Sequence, residues 1–200
     1  VDYPSGDQRR LTTLDYDQSP AWSPDGTKIA FYRAPGEIWV IPSAGGTETL
    51  LIPDASNAAW SPDGTRIAFT RPTGGPAGSD IFLADAHTGA ILGNLTNTPE
   101  TADSGVDWAP DGTRLAFASD DGTSSSLVVA NADGTGQVAL VSRQDVRMAS
   151  WSPDGTKIAY QAHSPANATG IYVIGANGSG DAPSIDGDRD EQYPSWGSGH

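Results

Sequence analysis

Short runs of apolar, β-forming residues alternate along the chain with clusters of Gly, Pro, Asp, Asn and Ser. The most apolar runs are three or four residues long, and each gives way to turn residues, which is typical of strands that end in hairpins. These runs are Ile38–Ile41, Ile81–Leu83, Leu127–Val129 and Ile171–Ile174. The pattern predicts an all-β protein made of short strands and tight turns.

A ten-residue segment, Trp-Ser-Pro-Asp-Gly-Thr-Lys-Ile-Ala-Phe, occurs four times with few changes. The copies are Trp22–Phe31, Trp60–Phe69, Trp108–Phe117 and Trp151–Tyr160. Successive tryptophans are 38, 48 and 43 residues apart, and Trp196 begins a partial fifth unit 45 residues later. Repeats of this length have room for about four short strands each.

Each unit is predicted to contain four strands. The first ends at the tryptophan, and Pro-Asp-Gly then forms a hairpin turn, because Pro presets φ and Gly accepts a positive φ. The second strand carries a small Ala, the third is the most apolar, and the fourth is short and polar, as suits an outer edge. Four-stranded antiparallel units are the blades of a β-propeller. Residues 1–200 are therefore predicted to form a single propeller domain or propeller fragment, with about four blades and incomplete blades at both ends.

The side chains that recur in every unit are interpreted as structural. A side chain needed once per blade is needed for packing, so each tryptophan is predicted to wedge between blades. A catalytic residue is expected in one unit only, whereas the same Asp occurs in all four turns, so these Asp residues are interpreted as structural. The structural residues are Trp22, Trp60, Trp108, Trp151, Asp25, Asp63, Asp111 and Asp154. The basic residues after each Asp-Gly-Thr are expected to pair with a turn carboxylate; they are Lys28, Arg66, Arg114 and Lys157.

The strongly negative net charge disfavours nucleic acid and anionic membranes as binding partners. The formal charge is -14 and the sequence pI is about 4.2, whereas binding to nucleic acid or to an anionic membrane needs a basic stripe. No run approaches 18 apolar residues, so no membrane insertion is predicted. The absence of cysteine excludes disulfides and thiolate metal sites. The first residues do not have the pattern of a signal peptide, so any such peptide is expected to be already absent.

An acidic residue precedes every first strand. These carboxylates are candidates for a ring at one mouth of the propeller channel, where they would attract a cation or a basic peptide. The alternative is that each accepts backbone hydrogen bonds in the turn that enters its strand, as Asp commonly does. The five residues are Asp17, Asp54, Asp103, Asp145 and Asp190.

One loop carries alternate carboxylates at Asp186, Asp188 and Asp190, as calcium loops do. The loop lacks the Gly and the final Glu of helix-loop-helix calcium sites, so a solvated acidic loop is the competing interpretation. No other cofactor is indicated. The three histidines are not accompanied by a Gly-x-Ser-x-Gly elbow, so no catalytic residue is predicted and the chain is expected not to be an enzyme.

The repeated core, Trp-Ser-Pro-Asp-Gly-Thr-Lys/Arg-Ile-Ala-Phe, resembles the WD-like propeller repeat of TolB and of many exported bacterial proteins. The copies cover roughly residues 15–185, and the Asp that precedes Trp22 and Trp196 is also similar to the family pattern. The resemblance implies a periplasmic or extracellular propeller that works by binding other proteins. The same repeat also precedes α/β-hydrolase domains in some peptidases.

We therefore expect a scaffold for protein-protein interaction or self-assembly, which as a fragment or engineered array completes a larger ring with copies of itself. The alternative is the accessory propeller of an exported hydrolase whose catalytic domain is not in this chain. Two insertions in the second unit, Pro72–Ser79 and Pro99–Asp103, are candidate contact loops. Three arrangements stay open: four blades closed by Gln8–Thr12 as the last outer strand, a larger ring of several chains, and an open fragment.

Overall fold

The structure, a computed structural model, describes residues 9–14, 16–74, 78–163, 169–183 and 196. The strands in these residues form four antiparallel sheets of four. The first contains β1 (Asp17–Trp22), β2 (Lys28–Arg33), β3 (Glu37–Pro42) and β4 (Thr49–Pro53). The second contains β5 (Ser56–Trp60), β6 (Arg66–Pro72), β7 (Ser79–Asp85) and β8 (Ile91–Asn94). The third contains β9 (Ala102–Trp108), β10 (Arg114–Asp120), β11 (Ser125–Asn131) and β12 (Val138–Arg143). The fourth contains β13 (Arg147–Trp151), β14 (Lys157–His163), β15 (Thr169–Gly175) and β16 (Ala182–Pro183).

Each sheet follows the order of the sequence, so each is a blade whose neighbouring strands are consecutive in the chain. The predicted all-β fold, with four-stranded antiparallel blades arranged as a propeller, is confirmed. We call β1, β5, β9 and β13 the inner strands, because residues of all four line one space. Among the described residues there is no helix long and apolar enough to cross a membrane.

The second strand of each blade lies inside its sheet and is the most deeply buried. In β6, Ile67, Ala68 and Phe69 are all fully buried, because neighbouring blades cover both faces of a central sheet. The small Ala of the repeat lets these blades approach closely. The four equivalent residues, all buried, are Ala30, Ala68, Ala116 and Ala159.

Three apolar clusters lie between consecutive blades and hold the array together. Each large apolar side chain that is fully buried contributes about 1.5–3 kcal/mol through the hydrophobic effect. The clusters join Ile38 to Phe69, Ile81 to Phe117, and Leu127 to Tyr160. The core is therefore a series of interfaces between blades, as expected for a repeat architecture.

Every inner strand is interrupted by a bulge three residues before its tryptophan. The pairing register with the second strand shifts there in all four blades. The residue at that position has a left-handed backbone, with φ of 51° at Ser19, 51° at Asn57, 64° at Gly105 and 52° at Met148. A bulge bends its strand and strengthens the local twist. The chain repeats this conformation with four different residue types, so the sequence pattern did not predict it.

The arrangement in which Gln8–Thr12 closes the ring as the last outer strand is wrong for the described residues. Residues 9–12 form no strand, and the Arg9 guanidinium donates to the Ala44 carbonyl of the first blade at 2.5 Å. The outer strand of the fourth blade is instead β16, which pairs with β15.

Candidate functional site

The Ser-Pro-Asp-Gly-Thr segment folds into a turn that its own side chains hold. In the first blade the Ser23 hydroxyl donates to the Asp25 carboxylate at 2.6 Å, and Asp25 accepts the Thr27 backbone N–H at 3.0 Å. These hydrogen bonds lower the pKa of Asp25 to about 2, and the same contacts have the same effect on Asp63 and Asp154. Each of these carboxylates is thus used within its own turn.

The third blade has Ala109 where the other turns have Ser, so Asp111 lacks a serine donor. Its carboxylate still accepts the backbone N–H and the hydroxyl of Thr113, at 2.9 and 2.8 Å. Those bonds lower the pKa of Asp111. The turn is therefore kept without the hydrogen bonds that a serine hydroxyl makes in the other blades, to the Asp carboxylate and from the backbone N–H of the basic residue that follows.

The tryptophans dock each blade onto the one before it. The indole N–H of Trp108 donates to the Ala59 carbonyl at 3.2 Å, and the indole of Trp60 donates in the same way to the Ala21 carbonyl at 3.2 Å. Trp196 repeats the contact on the carbonyl of Ser150, at 2.9 Å. In each case the acceptor is the residue before the tryptophan of the preceding blade. The contact is the same at three steps along the array.

Arg66 and Arg114, the basic residues after two of the turns, interact with their turn carboxylates only at a distance: the charge of each guanidinium helps to lower the pKa of Asp63 and of Asp111. The guanidinium of Arg66 lies over the Trp108 ring at 5.0 Å from its centroid, and that of Arg114 lies over the Trp151 ring at 4.7 Å. Neither forms an ion pair with a turn carboxylate among the described residues. Each Arg instead makes a cation–π contact with the next blade, which stabilises the interface between blades.

One interface departs from this scheme. The indole N–H of Trp151 is buried without a hydrogen-bond partner. The backbone N–H of Trp151 instead donates to the carboxylate of Asp107, at 2.7 Å. Asp107 occupies the place before Trp108 that Ala21 and Ala59 hold before their own tryptophans. The interface between the third and fourth blades is thus chemically different from the others.

The inner strands of all four blades line a cavity of about 800 Å³. The four bulged residues contribute to its wall, together with the residues that precede each tryptophan. Its polar side chains are almost all uncharged, for example Gln18, Asn57 and Ser150. Of the described residues in the lining, only Asp107 is ionisable. The cavity is therefore a mostly neutral site with a single carboxylate.

Burial raises the pKa of the Asp107 carboxyl to about 6, while the backbone N–H groups of Trp151 and Trp108 act in the opposite direction. Desolvation destabilises an ionised carboxylate because the protein replaces only part of its hydration. Asp107 was missed by sequence reasoning. The available signal was a charged residue at a repeat position where the other units have Ala or Ser.

Of the predicted channel-mouth acids, Asp17 and Asp103 are enclosed by hydrogen bonds. The Arg33 guanidinium binds the Asp17 carboxylate at 2.7 Å and Glu48 at 2.7 Å, and the pKa of Asp17 is lowered chiefly by that Arg33 bond. Asp103 is fully buried and accepts the Thr98 hydroxyl at 2.5 Å. Asp17 is thus bound within its own blade, and Asp103 is bound by the loop that leads from the second blade into β9.

The other two described acids lie at the surface of their turns. Asp54 is exposed with a φ of 52°, and its carbonyl accepts a hydrogen bond from Arg71 at 3.3 Å. Asp145 forms an ion pair with Arg147 at 2.6 Å, and its other carboxylate oxygen lies 3.3 Å from Nε2 of His163. None of the four described acids lines the cavity, and Asp190 lies outside the described residues. That these acids form a channel mouth stays a prediction.

The calcium prediction falls where the structure describes nothing, since Asp186, Asp188 and Asp190 all lie outside the described residues. In the part of the chain that is described, no group of three His, Cys, Asp or Glu residues is placed to hold a metal ion. Calcium binding therefore stays a prediction.

The radial sheets, the interlocked tryptophans and the common cavity define a β-propeller domain. The model of the TolB beta-propeller domain family matches residues 18–198. The chain therefore belongs to the TolB β-propeller family. No curated protein matches it significantly in sequence.

Solved structures share the fold at low sequence identity. A putative TolB from Agrobacterium tumefaciens is 21% identical with a TM-score of 0.73, over 84% of this chain and 67% of that one. TolB from Acinetobacter baumannii is 23% identical with a TM-score of 0.75, over 88% of this chain and 45% of that one. The β-propeller domain of the trilobed protease from Pyrococcus furiosus is 15% identical with a TM-score of 0.56, over 86% and 57%. This chain thus spans only part of each protein, and the likeness shows the fold alone.

Proposed function

We propose that this propeller is a non-enzymatic scaffold that binds a protein or peptide partner in the cavity between its inner strands. The cavity carries the proposal, because a concave space of about 800 Å³ is in the range of sites that enclose a ligand. Export to the bacterial periplasm or beyond, implied by the TolB-like repeat, belongs to the same proposal.

The bulges make the wall of the cavity suitable for a peptide. Two residues of each inner strand leave the regular pairing with the second strand, such as Asn57 and Ala58 in β5. Those residues lie in the cavity wall. Bulges commonly occur beside binding sites, because they turn side chains and backbone groups away from the sheet. The wall thus offers polar groups and apolar surface, as peptide recognition requires.

A displayed library of random peptides, selected on the purified protein, tests this proposal. Peptides that bind in the cavity are expected to lose at least about tenfold in affinity when Ala21→Gln places a longer side chain in the cavity wall. The control is Ala139→Gln, which makes the same change on the exposed outer strand β12. Selection of no binding peptide, or of peptides that bind both variants equally, would overturn the proposal.

A second candidate function is self-association through the first blade. The Trp22 side chain is 53% exposed, whereas Trp108 and Trp151 are 4% and 5% exposed because a preceding blade covers them. Leu14 and Tyr16, just before β1, are also exposed, at 55% and 74%. Exposed aromatic and aliphatic groups of this size favour association. A blade of a second copy of the chain offers the surface that Trp22 lacks.

Sedimentation velocity tests self-association directly. The protein is expected to sediment at a multiple of 20.7 kDa, and Trp22→Ala is expected to return it to the monomer. Leu92→Ala is the matched control, since Leu92 is 56% exposed on the outer strand β8. A monomeric wild type, or an oligomer that Trp22→Ala leaves intact, would contradict this candidate. A role as the accessory propeller of a hydrolase, and contact through the insertions of the second unit, stay predictions.

A further inference from the structure

We propose that Asp107 is the anchor of a cation-recognition site in the cavity, and that it takes the guanidinium or ammonium group of a basic side chain in the bound peptide. The inference rests on the proposed function, because it names the chemistry of the partner that enters the cavity. It assigns to one blade a role that the other three do not share.

The repeat shows that the carboxylate is not needed for folding a blade. The residue before the tryptophan is Ala21 in the first blade, Ala59 in the second and Ser150 in the fourth. All three are small, and the inner strands that carry them have the same bulge as β9. A partly buried charge at the equivalent position of the third blade therefore serves something other than the blade itself.

The carboxylate is held in position but its charge is not balanced. Its Oδ2 atom accepts the backbone N–H of Trp151 at 2.7 Å, which fixes the orientation of the group. Throughout the described residues, the ion pairs found join other acids, such as Asp17 to Arg33 and Asp181 to Arg143. Because a carboxylate has about four acceptor sites, Asp107 keeps capacity for an incoming donor.

The surroundings favour an organic cation over a metal ion. Calcium takes six to eight oxygen ligands and usually several carboxylates, whereas the cavity lining supplies one carboxylate among neutral groups. A guanidinium or ammonium group needs only one carboxylate and a few neutral acceptors. Gln18, Asn57 and Ser150 provide polar atoms of that kind in the same wall. Burial raises the pKa of Asp107 to about 6, so the group is ionised at neutral pH and gains most from a cation that enters the cavity.

Nuclear magnetic resonance offers a direct test, because the Trp151 amide proton that bonds to Asp107 is a local reporter. The probes are methylguanidinium, methylammonium, and a short Gly/Ser peptide with one central Arg, compared with the same peptide containing citrulline. We expect the two cations and the Arg peptide to shift the Trp151 amide signal in a saturable way, and the citrulline peptide not to do so. Asp107→Asn is expected to weaken binding at least about tenfold.

The matched control is Asp133→Asn, which removes one negative charge from an exposed residue of the turn after β11 in the same blade and is expected to leave binding unchanged. Binding is also expected to weaken at pH 5, where Asp107 becomes protonated, since the part of the lining that the structure describes has no second ionisable residue. Equal shifts in the Asp107→Asn variant, or in the citrulline peptide, would overturn the inference.

The different probes distinguish a failure of this inference from a failure of the proposed function. Tighter binding of the Arg peptide than of methylguanidinium supports a basic peptide as the partner. Binding of the small cations alone, with no gain from the peptide, would overturn the peptide as their source and point to a free amine. If library peptides bind in the cavity without any effect of Asp107→Asn, the cation inference fails while the scaffold function stands.

Discussion

The interface between the second and third blades differs from that between the third and fourth in one decisive residue. Both are built from a tryptophan, an Arg stacked on its ring and an apolar cluster. Between the second and third blades, the indole N–H of Trp108 donates to the carbonyl of Ala59, the residue before Trp60. Between the third and fourth blades, Asp107 is the residue before Trp108, and the indole N–H of Trp151 has no hydrogen-bond partner among the described residues.

The comparison shows which contacts stabilise an interface between blades and which ones lower its stability. A buried N–H without an acceptor costs about 1–3 kcal/mol, and a partly buried carboxylate that has no cationic partner among the described residues adds a cost of its own. The third blade thus carries two unfavourable features that the second avoids with an Ala. In repeat proteins, local loss of stability at one unit is typical of a functional position. This difference is the physical ground for our proposal that the third blade is the one specialised for binding.

The largest effect is expected from removing a buried tryptophan. Trp108→Ala is predicted to destabilise the protein by about 3–5 kcal/mol, because it opens a cavity between two blades. Trp22→Ala, at the 53% exposed equivalent position, is predicted to cost less than about 1 kcal/mol. Urea denaturation followed by circular dichroism measures both. Equal losses for the two variants would mean that the interfaces between blades do not depend on the tryptophan wedge.

The second largest effect is a gain in stability in the Asp107→Asn variant, and its size is expected to depend on pH. The folded pKa of Asp107, about 6, is above its ordinary value of 3.8, so the contribution of this carboxyl to wild-type stability is greatest below pH 3.8 and falls as the pH rises to about 6. The shift corresponds to at most about 3 kcal/mol. Asp107→Asn keeps an acceptor for the Trp151 amide without the charge, and is expected to be more stable than wild type by about 1–3 kcal/mol at pH 7.5.

Urea titrations at pH 4 and pH 7.5 provide the check. The difference between Asp107→Asn and wild type is expected to shrink to within about 0.5 kcal/mol at pH 4, where wild-type Asp107 is protonated in the folded state. The same difference at both values would show that the charge of Asp107 does not destabilise the third interface.

A third effect concerns the bulge that faces Met148 across the same interface. A Cβ atom on Gly105 would lie 3.0 Å from the Met148 nitrogen, and φ at Gly105 is 64°. Gly105→Ala is therefore predicted to cost about 1–2 kcal/mol. The control is Asn57→Gly at the equivalent bulge of β5, which is expected to change stability by less than about 0.5 kcal/mol. The midpoints of urea unfolding measure both changes. No loss of stability in Gly105→Ala would contradict the close approach of Gly105 to the Met148 backbone.

The smallest effect isolates the indole hydrogen bond. Trp108→Phe leaves the Ala59 carbonyl without its donor, whereas Trp151→Phe removes an N–H that has no partner. Trp108→Phe is therefore expected to cost about 1 kcal/mol more than Trp151→Phe. The two free energies of unfolding, measured by urea titration at one pH, test this difference. A larger loss for Trp151→Phe would show that its indole has an acceptor after all.

Much of the fold could be predicted from the sequence, because the repeat makes each local signal appear four times. The second strand of the first blade was expected from Lys28 onward and is β2, and the Pro-Asp-Gly turn was expected to follow each tryptophan. The cation–π contacts of Arg66 and Arg114 were not predicted, since the choice between close pairing with a turn carboxylate and stacking on a ring of the next blade depends on packing between units. Gln8–Thr12 was kept as a possible outer strand in one of three open arrangements, because short polar strands carry a weak pattern.

The sequence by itself determined the repeating unit, the number of blades it encodes and the turns between their strands. Those features depend on residues close together in the chain, where Pro, Gly and alternating apolar side chains act locally. Only the tertiary structure decided which exception to the repeat lies in the wall of the cavity. Asp107 and Trp151 are 44 residues apart, and their contact follows from the way one blade packs on the next. The same packing buries the carboxylate and makes it the candidate for binding.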